Sequence, residues 1–190
     1  MASLSAWRPA TAYAKGASVR PVLSPGSEPV PLDNGDFEDG DTGRDKDAGW
    51  AISTGSAYEG SYKAIFTGAG SGTISSDGTY PATAGQVIHA TVKAKVLDSD
   101  DGATALLLWY NGSNVLISTS TGLESSVESG VWMQLEVTGT GPANAAYVVF
   151  AVEATRSTGA SVTIDDARWD YTAPLEARRV GYRAVQEAAG

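Results

Sequence analysis

The 190-residue sequence predicts an all-β fold, an antiparallel two-sheet sandwich, on three observations. Glycine is abundant at 22 residues and charged residues are few at 18%, a composition that suits strands and tight turns better than helices. Several segments of strand length alternate apolar and polar residues at period two. Turn-forming clusters separate them, and no helical pattern intervenes.

Taken in order, residues 1–31 carry Pro21, Pro25, Pro29 and Pro31 towards their end, which forbids helix and disfavours a central strand. This segment reads as an extended N-terminal arm. Residues 32–172 read as the body. Ser61–Gly68 and Gly72–Ser76 supply short strands. Gln86–Leu97 alternates, with Ile88, Ala90, Val92, Ala94 and Val96 on one face and His89, Thr91, Lys93 and Lys95 on the other. Ala103–Tyr110 leads through Asn111-Gly112 into Asn114–Thr119, and Asn-Gly between apolar runs signals a hairpin because both residues tolerate positive φ. Val131–Thr138 alternates again, Ala145–Ala154 is continuous enough to be buried on both faces, and Ser161–Tyr171 is the last strand. Residues 173–190 form a tail in which Leu175–Ala189 is a helix candidate with a thin apolar stripe, either a short amphipathic end or a docking tail.

Composition excludes several function classes. Without cysteine there is no disulfide framework and no thiolate metal site, and a single histidine makes a multi-histidine centre impossible. Net charge is −9, but it is unevenly spread: the first arm is +2, the tail +1 and the body −12. An acidic body argues against nucleic-acid binding, which needs basic surface. No run approaches the roughly 20 apolar residues of a membrane span. The N-terminal residues show no apolar signal region, so the expectation is a soluble protein made in the cytoplasm.

Asn34-Gly35-Asp36-Phe37-Glu38 followed by Gly49-Trp50 resembles the opening of the carbohydrate-binding-module jelly rolls of families 4, 9, 16 and 22. Glu59-Gly60-Ser61-Tyr62, Ala84-Gly85-Gln86-Val87, Gly130-Val131-Trp132 with Gly141-Pro142, and Ile164-Asp165-Asp166-Ala167 resemble further signatures of that family, in the same order. The resemblance spans about residues 32–171 and implies a jelly roll whose first and last strands lie side by side around a structural calcium. If Val162 and Ile164 face the core, period two places Asp166 with them, and a buried carboxylate needs a partner or a metal. Asp36 and Glu38, on one face of the first strand, could join it; calcium takes roughly six to eight hard oxygens. The alternative is that backbone amides or Arg168 satisfy Asp166. Asp98–Gly102 faintly resembles a calcium loop, but Trp109 stands where the bidentate glutamate would be, so it reads as a solvated turn.

Glycan binding needs exposed aromatic rings with hydrogen-bonding neighbours. With Leu106, Leu108 and Tyr110 inward, Trp109 is expected to be exposed. Trp132 lies opposite the Val131/Met133 face and is a second candidate, with Gln134 and Glu136 following on its side. The alternative is that these aromatics cover a sheet edge or a subunit contact. Trp50 and Phe37 are expected in the core, and His89 on the polar strand face. Catalysis finds little support: adjacent Asp165 and Asp166 point to opposite faces and cannot flank one glycosidic bond.

The segment Trp7-Arg8-Pro9 through Tyr13, Gly16, Val19 and Pro21 resembles one common in bacteriophage tail and virion proteins. The expectation is a non-enzymatic virion structural protein, a capsid decoration or tail accessory. Its arms would dock on neighbouring subunits through Trp7, Tyr13, Arg20, Arg178, Arg179 and Tyr182, in a homo-oligomer or on a capsid or tail lattice, with a cell-surface glycan as a further partner. The alternative is a free carbohydrate-binding module for bacterial or environmental polysaccharide.

Overall fold

The computed structural model describes residues 5–6, 19–20, 32–98, 100–123, 130–157 and 160–170. The described strands are β1 (Ser5–Ala6), β2 (Val19–Arg20), β3 (Arg44–Lys46), β4 (Trp50–Thr54), β5 (Tyr62–Phe66), β6 (Gly70–Ser76), β7 (Tyr80–Pro81), β8 (Val87–Val96), β9 (Gly102–Tyr110), β10 (Leu116–Thr121), β11 (Met133–Thr140), β12 (Tyr147–Arg156) and β13 (Val162–Asp170). The expected docking residues Trp7, Tyr13, Arg178, Arg179 and Tyr182, the side chain of Arg20 and the expected helix over Leu175–Ala189 lie outside the described residues.

β1 and β2 form a short parallel pair. The other strands make an antiparallel sandwich. One sheet runs β10-β9-β12-β6-β3, with β7 beside β12; the other runs β11-β8-β13-β5-β4. The chain therefore folds as an all-β jelly roll. Facing side chains fill the space between the sheets. From the second sheet come Ile88, Val92, Val162, Ile164 and Phe66; from the first come Leu107, Trp109, Val148, Phe150 and Val152. Phe37 and Trp50 are also buried, at 1% and 4% exposure, as expected.

Period two places β8 as anticipated, with every second residue from Ile88 to Val96 buried. In β9 the expected parity is reversed. Leu107 and Trp109 face the core at 0% exposure, and Tyr110 turns outward to stack on Tyr147 at 4.9 Å. All of Leu106-Leu107-Leu108-Trp109-Tyr110 is apolar or aromatic, so alternation gives no sign of which set is inside. The indole decides it. Trp109 Nε1 donates to Ser120 Oγ of β10 at 3.0 Å, satisfying its polar atom where the ring is buried.

The β9–β10 turn also departs from expectation. The positive-φ residue is Asn114, at 61°, while Asn111 Oδ1 accepts the amides of Ser113 and Val115. Asp101, expected in a solvated turn, is 3% exposed and accepts the Ser157 amide at 2.8 Å.

Candidate functional site

Two places gather polar side chains: a cleft at one edge of the sandwich, and the outer face of the β11-β8-β13-β5-β4 sheet.

The cleft has a volume of about 730 Å³, and Asp36, Glu38, Glu59, Asp166 and Arg168 are among the residues lining it. The Asn34–Glu38 segment builds one wall, as a series of turns rather than the expected strand. Each residue of the motif has a physical task. Asn34 takes a left-handed φ of 47°, and its side chain donates to the carbonyls of Gly40 and Thr42 and accepts the Asp39 amide. Gly35 accepts the Ala167 amide at 2.8 Å, so close to β13 that a β-carbon there would collide with the Ala167 carbonyl. Phe37 plugs the core beneath the Arg44 guanidinium, 4.7 Å above its ring. Glu38 reaches across to accept the amides of Ser61 and Tyr62, both at 2.7 Å.

The last strand corrects the expected position of Asp166. β13 bulges between Asp165 and Arg168, and Asp166 has φ of 49°. The bulge breaks period two. Asp166 is half-buried and pairs with Arg168, which also reaches Glu59 at 3.3 Å. The fully buried carboxylate is Asp165, which accepts the amides of Tyr58, Glu59 and Asp166. Burial holds the Asp165 carboxyl above the usual aspartate range; the three amides oppose this, and the Asp166 charge adds to it.

Asp36, Glu38 and Asp166 thus share one cleft, and their oxygen-only chemistry suits a hard cation. As placed, Glu38 faces backbone amides and Asp166 faces Arg168. Among the described residues no three His, Asp or Glu side chains are grouped to hold a metal ion.

The outer sheet face is built differently. Its residues alternate with the core set: Lys93 and Lys95 on β8, Gln134 and Glu136 on β11, Thr163 and Asp165 on β13, and Lys63 on β5. The loop between β4 and β5 folds back over this face, tied by the Asp165 bonds and by Lys63 Nζ, which donates to the Gly55 carbonyl. It carries Tyr58 across to Trp132, just before β11. Their rings meet edge to face at 5.7 Å. Lys93 Nζ stands 4.9 Å over the Tyr58 ring and Lys95 Nζ 4.9 Å over the Trp132 ring. Lys93 Nζ also donates to Gln134 Oε1 at 3.0 Å, and Gln134 donates to Glu136 at 2.7 Å. His89 lies 3.8 Å from Glu136, on the polar face where it was expected. Tyr58 is 45% exposed and Trp132 is half-buried.

Of the expected glycan-binding residues, Trp132 and Gln134 therefore lie together on an open face. Trp109 does not join them, because it is a core residue. Tyr58 was missed. Its only sequence signal is its place just ahead of Glu59-Gly60-Ser61-Tyr62, and nothing in that spacing says that the loop folds back over the sheet.

The same fold occurs in solved carbohydrate-binding modules. A family 16 module, "Family 16 Carbohydrate Binding Module-2", superposes with a TM-score of 0.58 at 14% identity, covering 73% of this chain and 97% of that one. The C-terminal family 22 module of Clostridium thermocellum Xyn10B gives 0.56 at 16% identity, covering 74% and 96%. The enzymatically active domain of bacteriophage CBA120 tailspike protein 4 gives 0.55 at 9% identity, covering 73% of this chain and 21% of that one. No family model matches the sequence, and no curated protein does. The chain accordingly has the jelly-roll fold seen in carbohydrate-binding modules.

Proposed function

We propose that this protein is a non-enzymatic glycan-binding jelly roll whose binding surface is the outer face of the β11-β8-β13-β5-β4 sheet. The observation that carries the reading is the Tyr58–Trp132 aromatic pair, set beside the polar row of Gln134, Lys93 and Glu136. Sugar rings present C–H faces and a rim of hydroxyls. An aromatic platform flanked by donors and acceptors meets both needs. A glycan array probed with the wild-type chain and with Trp132→Ala tests it: binding that the substitution removes supports the proposal, and binding that survives it places the site elsewhere.

We further propose display of this module on a virion, as a capsid decoration or tail accessory. The support is the resemblance of residues 7–21 to a virion-protein segment, joined by a fold shared with part of a phage tailspike. The arms would dock on neighbouring subunits, and the particle would be assembled in the host cytoplasm. Finding the chain in purified particles, with residues 1–31 and 173–190 protected from protease only there, tests this reading. A free module for environmental polysaccharide has equal support from the fold.

Calcium is proposed as a structural ligand of the edge cleft, held by Asp36, Glu38 and Asp166. It would clamp the 32–43 turns to β13, and its arrival would draw Asp166 away from Arg168.

A further inference from the structure

We infer that the outer sheet face selects glycans bearing carboxylates, of the uronic acid class, over neutral ones; the inference rests on the glycan-binding reading above. In a body of net charge −12 with only seven basic residues, three of the seven lie on this one face. The other four are spent on contacts elsewhere: Arg44 on the 33–34 carbonyls, Lys46 on Asp41, Arg156 on the 67–68 carbonyls and Arg168 on Asp166.

Among the described residues, the charged side chains that share the sheet face with Lys93 and Lys95 are Lys63, Asp165 and Glu136. Lys63 is held by the carbonyls of Thr54 and Gly55. Asp165 is enclosed by three amides. Glu136 is engaged by Gln134 and His89. Among the described residues neither Lys93 nor Lys95 has an ion-pair partner; each ammonium rests on an aromatic ring instead. Lys95 is also close enough to Lys63 for the two like charges to feel each other. The three ammoniums on this face therefore outnumber the two carboxylates that share it, and one of those, Asp165, acts on Lys63.

The ring contacts shape what can bind. A neutral sugar stacking on Trp132 or Tyr58 gains nothing from the charge of the adjacent ammoniums. A uronate can approach the same rings and accept charge-assisted hydrogen bonds from the ammoniums already there. The two lysines stand two residues apart on one strand, about 7 Å, so they offer two donors along one direction. Resting on rings, they also lose less freedom on binding than free lysines would.

Affinity electrophoresis of the full chain tests this against polygalacturonate, alginate and glucuronan, each beside its carboxyl-reduced neutral form, with polyglutamate as a sugar-free polyanion. Retention by at least one acidic polymer, at least about tenfold weaker on its reduced form and weakening as salt rises, is expected. Lys93→Gln and Lys95→Gln are each expected to lose about tenfold on the acidic polymer with an unchanged melting temperature. Equal retention by acidic and reduced forms, lost in Trp132→Ala, overturns the carboxylate selectivity and leaves glycan binding standing. Retention by polyglutamate as strong as by the acidic glycan overturns it as well. Retention by no polysaccharide overturns both readings.

Discussion

At the scale of single residues, the two tryptophans first paired as platforms have opposite roles. Trp109 is a core side chain at 0% exposure, hydrogen-bonded to Ser120. Trp132 is a surface side chain against Tyr58 and Lys95. Trp109→Ala is expected to cost about 3–5 kcal/mol of stability, measured by urea unfolding. Trp132→Ala is expected to cost about 1 kcal/mol or less and to act on binding instead. Sequence could place Trp132, because alternation through Val131–Thr138 is clean. It could not place Trp109, because every residue around it is apolar. Asp165 makes a second prediction, in pH. Its carboxyl lies above the ordinary value of 3.8 in the fold, so the folded state holds the proton more tightly than the unfolded chain does. The stability it contributes is complete below that ordinary value and is lost as pH rises through the raised one. Asp165→Asn lacks this step and loses an acceptor for one amide. The variant is expected to be less stable than wild type, with the gap widest at acid pH and shrinking as pH rises through that window. A gap independent of pH in paired denaturation curves would contradict it.

At the scale of elements, eight strands were legible in the sequence because alternation or a continuous apolar run marks them, and the observed β5, β6 and β8–β13 fall on those segments. The short β3, β4 and β7 were not. Arg44–Lys46 is charged throughout, and Tyr80–Pro81 is only two residues long; both exist because distant strands, β6 and β12, offer their edges. The bulge in β13 was equally hidden, since it depends on the β8 register and on a non-glycine residue in the left-handed region. It took Asp166 off the core face, while Asp165, on the outer face, is buried by the loop between β4 and β5. Where the cleft elements meet, Gly60 has φ of 68°, and a β-carbon there would strike the Glu38 carboxylate. Gly60→Ala is therefore expected to destabilise by about 1–2 kcal/mol, through backbone strain and loss of the Glu38 bonds to the Ser61 and Tyr62 amides. Thermal melting in calcium and in chelator examines the same elements. A melting temperature raised by calcium supports a clamp on the turns and β13, because a ligand of the native state stabilises folding. An unchanged one removes calcium from the cleft.

For the whole molecule, the net charge of −9 is an average over unlike parts, and the division extends into the body itself. Carboxylates gather at the edge cleft, while three of seven basic side chains lie across one sheet face. The sandwich keeps these two surfaces apart and gives the second the aromatic pair that a glycan would meet. The fold was legible because five short motifs appear in order along 140 residues of strand-rich sequence; the surface was not, because Tyr58 joins Trp132 only when a loop between β4 and β5 crosses the sheet. Glycan binding on that face is most directly tested by titrating wild type, Trp132→Ala and Tyr58→Ala against the strongest array ligand by calorimetry. Both substitutions are expected to lower affinity by about tenfold or more while the melting temperature stays within a few degrees of wild type. Unchanged affinity in both variants, or an array on which the folded wild-type chain binds no glycan, would contradict it.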